Sequence, residues 1–186
     1  GLYFMKEHAP EPSAQALGFL HGLASYGIAS HVLFVLIGAA LAIVIQSSSH
    51  ALVLTVLMCE KGIINYEMAA ALVIGENIGT TLTANIAALV GNAWAKRTAR
   101  AHSVIKVFGA LWALLFFAPI LSGIDLLTQL VRGLSPYVDQ NALPWSLTIL
   151  HIAFNLVNML LLIRFTPFIE KVVTRMVPAR DGVDEE

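Results

Sequence analysis

The pentapeptide Gln46-Ser47-Ser48-Ser49-His50, the first polar island, interrupts a long apolar stretch of the chain. Apolar residues lead into it from Val32 to Ile45 and continue after it from Ala51 to Met58. As a helix the first arm would be about 21 Å long, which is shorter than the ~30 Å hydrocarbon core of a bilayer. The pattern fits either one broken helix or a re-entrant hairpin with the island at its tip, and the sequence does not choose between them.

A second polar island, Glu76-Asn77-Ile78-Gly79-Thr80-Thr81, repeats this arrangement further along the chain. Apolar segments from Met68 to Gly75 and from Leu82 to Gly91 flank it. Polar groups are costly at membrane depth, and paired interruptions of this kind point to the binding site of a transporter. We therefore predict two broken or re-entrant helical elements whose polar centres face a shared aqueous pocket.

The composition is that of an all-α, polytopic membrane protein. The chain has 186 residues, of which 58% are hydrophobic and 12% are charged, and its mean hydropathy is +0.77. A soluble domain carries about one quarter charged residues. The net charge of −1 argues against nucleic acid as a partner. Since no Gly-x-Ser-x-Gly, P-loop or His-Glu-x-x-His pattern occurs, we predict no enzymatic activity.

Composition also divides the chain. We predict a loop and an interfacial helix over 1–30, a core repeat holding both islands over 31–91, a basic loop over 92–102, two full spans with an external connector over 103–164, and an amphipathic or disordered tail over 165–186. The spans are expected at 104–121 and 147–163, with a surface helix at 124–131 between them. The basic residues of the loop and of the tail place both on the cytoplasmic side of the membrane.

The islands offer ligands for ions of both signs. Hydroxyl and amide oxygens suit small hard cations, whereas their hydrogens, with free backbone N–H groups at a helix start, suit an oxyanion. Gly79 is expected to let the backbone turn tightly in the second island. The alternative for the serine run is a seam at which membrane helices pack closely.

Two ionisable residues stand out beside the islands. Glu76 is expected to hold a cation, to carry a proton or to pair with Lys106; the alternative is that it lies near the interface and is solvated. For Lys106, near one end of its span, snorkelling to the interface is the simpler interpretation. His50 adjoins the first island and could tune it.

The last predicted span carries polar side chains on one face. His151, Asn155 and Asn158 follow helical spacing. We interpret them as interhelical hydrogen-bonding residues.

These residues together resemble the type II sodium–phosphate cotransporters and their bacterial relatives. Gln46–Ser49 is similar to the QSSS motif of that family, and Gly75–Thr81 is similar to its GANIGT segment. Ala101-His102, Phe108-Gly109 and His151–Asn155 also match family positions, so the resemblance covers nearly the whole chain.

The resemblance implies sodium-coupled transport of inorganic phosphate by alternating access across the bacterial inner membrane, with sodium as the coupling ion and no cofactor. The implied phosphate ligands are Gln46, Ser47, Ser48, Ser49, Asn77 and Thr80. The implied sodium ligands are Gln46, Ser49, Asn77, Thr80 and Thr81, and to these we add Glu76 for its carboxyl, which the family motif lacks. From their positions we also predict supporting roles for His50, Gly79, Lys106 and Asn155.

The chain departs from the family pattern in three ways. Glu76 replaces a small residue, which leaves the coupling ion and the stoichiometry open. Lys106 stands where relatives often have a polar amide. The family has two inverted repeats, each with its own QSSS, and this chain resembles only the second repeat with its closing spans.

One repeat cannot surround an ion, so we expect either the missing first repeat or a second copy of the chain as a partner. The apolar start, Gly1–Met5, likewise reads as the end of an earlier membrane segment. The alternatives are a non-transporting membrane module that binds a partner, a carrier of another oxyanion such as sulfate, and an exporter.

Overall fold

The computed structural model describes residues 27–178 and, before them, Gln15, Gly18, Gly22 and Leu23. The predicted N-terminal loop, most of the predicted interfacial helix and the acidic end of the tail lie outside the described residues.

Helices account for nearly all of the described chain, and residues 27–178 contain no β-strand. The elements are α1 (Ile28–Ile45), α2 (Ser48–Glu60), α3 (Tyr66–Ala88), α4 (Ala93–Leu115), α5 (Phe117–Arg132), a 3₁₀ turn (Gln140–Ala142), α6 (Leu143–Leu162), a second 3₁₀ turn (Ile163–Phe165) and α7 (Thr166–Met176). The predicted all-α class is confirmed.

The first polar island breaks the backbone as predicted. α1 ends at Ile45, Gln46 takes the left-handed conformation with φ 57°, and α2 begins at Ser48. The Ser47 side chain accepts a hydrogen bond from the backbone N–H of His50 and so caps α2. Two residues therefore separate the two helices.

α1 packs against α3 with almost no side-chain layer between them. A Cβ on Gly38 would lie 2.1 Å from the carbonyl oxygen of Leu72, and one on Gly75 would lie 1.9 Å from that of Val35. One turn later, a Cβ on Gly79 would lie 2.2 Å from the carbonyl oxygen of Ala39. From Gly75 to Gly79 of α3 the contacted residue of α1 advances from Val35 to Ala39, so α1 and α3 run parallel.

The parallel arrangement makes α1 and α2 a helical hairpin. α2 connects the far end of α1 to the start of α3 through the short segment 61–65, so it has to run back in the opposite direction. Its Thr55 side chain reaches Glu76 of α3, which fixes the returning helix against the same neighbour. Of the two geometries that the sequence allowed, the structure has the hairpin, with the first island at its tip.

The expected interruption at the second polar island is wrong. α3 runs without a break from Tyr66 to Ala88, through the whole island, and Asn65 caps its start by accepting from the N–H of Met68. Gly79 makes no turn. Gly75 and Gly79 are spaced as Gly-x-x-x-Gly, the pattern that lets two membrane helices approach closely, and both face α1.

The predicted basic loop and the first predicted span also need correction. Residues 93–102 are not a loop but the first turns of α4, which Asn92 caps by accepting from the N–H of Ala95. The span expected at 104–121 breaks at Phe116, and α4 and α5 are bent by 86°. Pro119 explains the break, because its ring lacks an N–H and clashes with the carbonyl four residues before it, that of Leu115. The expected surface helix at 124–131 is part of α5.

The second predicted span is confirmed as α6, which starts beside Pro144 and leads through a 3₁₀ turn into α7. Within the described segment, α1 and the α6–α7 run are long and apolar enough to cross a membrane, and the bent α4–α5 pair could form a third crossing. α3 is instead the central helix, buried along most of its first half.

The two ends of this bundle are distinguished by their contacts. At one end the Tyr66 ring packs edge-on against Tyr137 of the connector after α5. At the other, Arg97 Nε donates to the carbonyl oxygen of Val177 at 2.9 Å. The basic start of α4 and the end of α7 therefore lie on the same side of the molecule.

Candidate functional site

The first polar island is accessible at the tip of the hairpin. Gln46, Ser49 and His50 are exposed, and Ser47 and Ser48 are half-buried. His50 Nδ1 lies 2.9 Å from the Ser47 hydroxyl oxygen. In the described part of the chain, the amide of Gln46 and the hydroxyls of Ser48 and Ser49 make no side-chain hydrogen bond, so they are available to a ligand.

The start of α2 adds backbone donors to these side chains. The N–H groups of His50 and Ala51 are bonded to the Ser47 hydroxyl and carbonyl oxygens, respectively. The N–H groups of Ser48 and Ser49 belong to the first turn, where a helix supplies no acceptor. Together with the partial positive charge of a helix N-terminus, they form an arrangement that suits an anion.

Glu76 lies inside the molecule rather than at a solvated break. Its side chain is 0% exposed, and its Oε1 accepts a hydrogen bond of 2.6 Å from the Thr55 hydroxyl of α2. The other oxygen, Oε2, is buried without a hydrogen-bond partner. The expected pairing with Lys106 is wrong, because the carboxyl faces α2.

Lys106 meets the neighbouring residue of the same island. Its Nζ donates to Asn77 Oδ1 at 3.1 Å and to Asn155 Oδ1. Successive residues of a helix point about 100° apart, so Asn77 faces α4 and α6 while Glu76 faces α2. The expectation that Lys106 snorkels to the interface is therefore wrong, because its ammonium joins α3, α4 and α6.

The threonines of the second island bond back along their own helix. The Thr80 hydroxyl donates to the carbonyl oxygen of Asn77 at 3.0 Å, and the Thr81 hydroxyl donates to that of Ile78 at 2.8 Å. Each donation uses the hydroxyl hydrogen and leaves oxygen lone pairs available to a cation. Thr81 is buried and Thr80 is half-buried.

The two islands lie at similar levels but face different surroundings. A Cβ on Gly79 would touch Ala42, so Gln46 lies about one turn further along α1. Among the described residues, no hydrogen bond joins a side chain of one island to a side chain of the other. The structure thus places one island on the surface and most of the other in the interior.

A cavity of about 660 Å³ lies elsewhere, between α4, α6 and α7. Lys106 and Asn155 contribute to its wall together with Arg97, Glu170 and mostly apolar surface. No residue of either island lines this cavity.

The polar face predicted on the last span makes the expected interhelical bonds at two of its three positions. Asn155 binds Lys106, and Asn158 donates to the carbonyl oxygen of Ile105 at 3.0 Å while accepting from Trp112 Nε1 at 3.3 Å. The Nδ1 atom of His151 is buried without a hydrogen-bond partner.

Sequence reasoning missed Thr55 and Asn85. Thr55 lies alone among apolar residues in the middle of α2, so nothing in the sequence links it to Glu76, 21 residues away. Asn85 donates to Ser103 at 2.6 Å and accepts from Arg100 at 2.9 Å. The sequence could have indicated Asn85, because it lies one helical turn after Thr81 and precedes a basic segment.

The profile of the Na⁺/Pi-cotransporter family matches residues 14–133. The protein YqeW of Bacillus subtilis is 34% identical over 145 residues, which are 78% of this chain and 43% of that protein. "Putative inorganic phosphate export protein YjbB" of Salmonella typhimurium is 32% identical over 151 residues, 80% of this chain and 25% of that protein. "Sodium-dependent phosphate transport protein 2C" of Rattus norvegicus is 38% identical over 100 residues, 52% of this chain and 16% of that protein.

The aligned part of the chain thus corresponds to less than half the length of these relatives. No solved structure matches it. Since the family profile covers well over half of the residues, the chain belongs to the Na⁺/Pi-cotransporter family, a family of membrane transporters.

Proposed function

We propose that this chain is one repeat of a sodium-coupled carrier that moves inorganic phosphate across the membrane by alternating access. The observation that carries the proposal is the accessible tip of the α1–α2 hairpin, where the backbone breaks at Gln46 and α2 presents its N-terminus. Family membership supports phosphate as the substrate.

Phosphate would bind at this tip. The amide of Gln46 and the hydroxyls of Ser47, Ser48 and Ser49 supply hydrogen bonds, and the first N–H groups of α2 add backbone donors. His50 holds the Ser47 hydroxyl and so positions one of these ligands. The tip is too exposed to enclose an ion, so the opposing surface comes from another repeat, either in the same protein or in a second copy of the chain.

Sodium would bind in the interior, beside Glu76 of α3. Glu76 Oε2 is a buried carboxyl oxygen without a hydrogen-bond partner, and such a group is costly unless a proton or a cation satisfies it. The Thr80 hydroxyl oxygen, one turn further along the same face of α3, would be a second hard ligand for this ion. Thr81 lies one turn after Asn77 instead, on the face toward α4 and α6. Binding both ions together offsets their charges in a low-dielectric interior, which is the physical origin of coupling.

Uptake into proteoliposomes tests the proposal directly. Phosphate uptake by the transport-competent protein should require an inward sodium gradient, and Ser48→Ala should reduce uptake at low phosphate more than at saturating phosphate. Ser122→Ala is the matched control, because its exposed hydroxyl bonds only within α5. Uptake that ignores sodium, or a Ser48→Ala variant with normal phosphate affinity, would contradict the proposal.

Export is the second candidate, since relatives from Salmonella and Escherichia carry export in their names. The same binding groups serve either direction, and the ion gradients decide which one prevails. Vesicles loaded with labelled phosphate distinguish them: an exporter releases label from right-side-out vesicles without requiring an inward sodium gradient. Competition by sulfate in either assay tests the choice of oxyanion.

A further inference from the structure

A small polar cluster lies where α3, α4 and α6 meet. Lys106 of α4 sits between Asn77 of α3 and Asn155 of α6, and its Nζ donates to the side-chain oxygen of each. The same Nζ lies 6.0 Å from the centroid of the Phe154 ring. The ammonium thus contacts two amide oxygens and lies beside an aromatic ring, and the Lys106 side chain also lines the cavity between α4, α6 and α7.

Both amides are held with their oxygens turned toward the ammonium. Asn77 Nδ2 donates to the carbonyl oxygen of Val73 at 3.0 Å, and Asn155 Nδ2 donates to that of His151 at 2.8 Å. Each amide uses its nitrogen on the preceding turn of its own helix, which leaves Oδ1 as the free end. The helices therefore present two preorganised neutral oxygens at one point.

This pair of ligands is better suited to a mobile cation than to a structural ion pair. Both acceptors are neutral, and the carboxyl of Glu76, the residue before Asn77, is directed at Thr55 instead. Within residues 27–178, Lys106 forms no ion pair with an acidic side chain. Amide oxygens are ligands for hard cations, and an aromatic face attracts a cation without neutralising it.

The sequence around the cluster shows the same spacing twice. His102 precedes Lys106 by four residues, and His151 precedes Asn155 by four. Four residues after its histidine, α6 has the amide of Asn155, whereas α4 has the ammonium of Lys106 at the end of a long side chain. A neutral side chain at position 106 would leave two converging oxygens with no partner.

We propose that the Lys106 ammonium is a tethered cation that occupies a monovalent-cation site formed by Asn77 and Asn155. The inference rests on the proposed function, because it concerns how many sodium ions the carrier binds. The ammonium stays with the protein through the transport cycle, so no sodium passes through this site. A carrier with a neutral residue at position 106 would bind one sodium ion more.

The test replaces Lys106 with asparagine, which adds a third amide oxygen and removes the charge. Two measurements are made on the transport-competent protein: thermal unfolding in detergent across a sodium chloride series, with choline chloride keeping ionic strength constant, and the sodium dependence of phosphate uptake. An ion that binds only the folded state raises apparent stability as its concentration increases. The unfolding temperature of Lys106→Asn should rise more steeply with sodium concentration than that of the wild type. Its phosphate uptake should depend on one more sodium ion than wild-type uptake does.

Three variants control the result. Lys106→Gln is the second neutral amide and should behave like Lys106→Asn, so the test does not depend on one variant folding well. Lys106→Arg keeps the charge and should keep the wild-type sodium response. Lys171→Asn removes an exposed charge on α7, outside the cluster, and should leave the sodium response unchanged.

The outcomes separate this inference from the proposed function. One outcome is that the wild type transports phosphate with sodium, but both neutral variants keep the wild-type sodium response in both measurements. The tethered-cation proposal is then wrong and the carrier function stands. If no form moves phosphate but both neutral variants gain sodium-dependent stability that Lys106→Arg lacks, the cation site stands and the carrier function fails.

Discussion

At the residue scale, the hydrogen bond from Thr55 to Glu76 satisfies one oxygen of a buried carboxyl. A fully buried carboxyl receives one hydrogen bond, from the apolar middle of α2. Leaving a buried polar group without its partner costs about 1–3 kcal/mol. Thr55→Val keeps the shape and removes the hydroxyl, so we expect it to lower the unfolding temperature in detergent.

A double-mutant cycle separates this bond from general effects of the substitutions. Glu76→Gln retains an oxygen that Thr55 can donate to, and adding Thr55→Val should then cost less than it does beside the carboxyl. Equal costs in both backgrounds would show that the bond contributes nothing specific.

The glycines of α3 lead to a second prediction at this scale. A methyl group at Gly75 would overlap the carbonyl oxygen of Val35, and overpacking of this kind costs about 1–3 kcal/mol or more. Gly75→Ala should therefore reduce thermal stability clearly. Gly123→Ala is the matched control in the helix α5, since its Cβ would meet nothing within 4 Å.

At that exposed position alanine should be neutral or stabilising by up to about 1 kcal/mol, because it is the better helix former. If both alanine variants behaved alike, the close approach of α1 and α3 would be wrong.

At the scale of elements, the hairpin tip combines a backbone requirement with a proposed ligand. Gln46 adopts φ 57°, and the left-handed conformation costs a residue with a Cβ roughly 1–2 kcal/mol. Gln46→Gly should relieve that cost and leave the fold as stable or more stable, while removing the amide and weakening phosphate uptake. Gln46→Asn tolerates the conformation and keeps an amide, so it should retain more uptake than glycine. A glycine variant with full phosphate affinity would exclude Gln46 as a ligand.

The elements also show how far sequence reasoning could reach. The break at Gln46 was predictable, because hydroxyl and amide side chains there compete for the backbone at the end of an apolar arm. The second island misled for the same reason: its Asn and Thr side chains bond back to carbonyls of their own helix, which satisfies them without any break. Pro119 was the available signal for the bend at Phe116, but the apolar run around it favoured a continuous span.

The site was less predictable than the fold. The partners of the second island depend on how α3 is rotated about its own axis. Because α3 is continuous, Glu76 faces α2 whereas Asn77 faces α4 and α6. Periodicity alone could not fix that rotation, because residues on every side of α3 are buried. The Gly-x-x-x-Gly spacing of Gly75 and Gly79 could have fixed it, since it identifies the face that meets α1.

At the scale of the whole molecule, the bond between Arg97 and Val177 requires the start of α4 and the end of α7 to lie on one side of the membrane. From the basic residues there we predict that this side faces the cytoplasm and that the connector with Val138 lies on the opposite side. Cysteines introduced at Ala95, Arg175 and Val138, all exposed, test this with a membrane-impermeant maleimide. The native Cys59 is buried, and Cys59→Ala removes any background.

In inside-out vesicles we expect Ala95→Cys and Arg175→Cys to react and Val138→Cys to be protected, and the reverse in right-side-out vesicles. Labelling of Ala95→Cys and Arg175→Cys from opposite sides would contradict the fold itself. Labelling of all three with the sides exchanged would leave the fold intact and reverse its orientation. The hairpin tip points toward the basic end, so in that case it would face the outside of the cell. Phosphate from outside would then reach the first polar island without crossing the membrane.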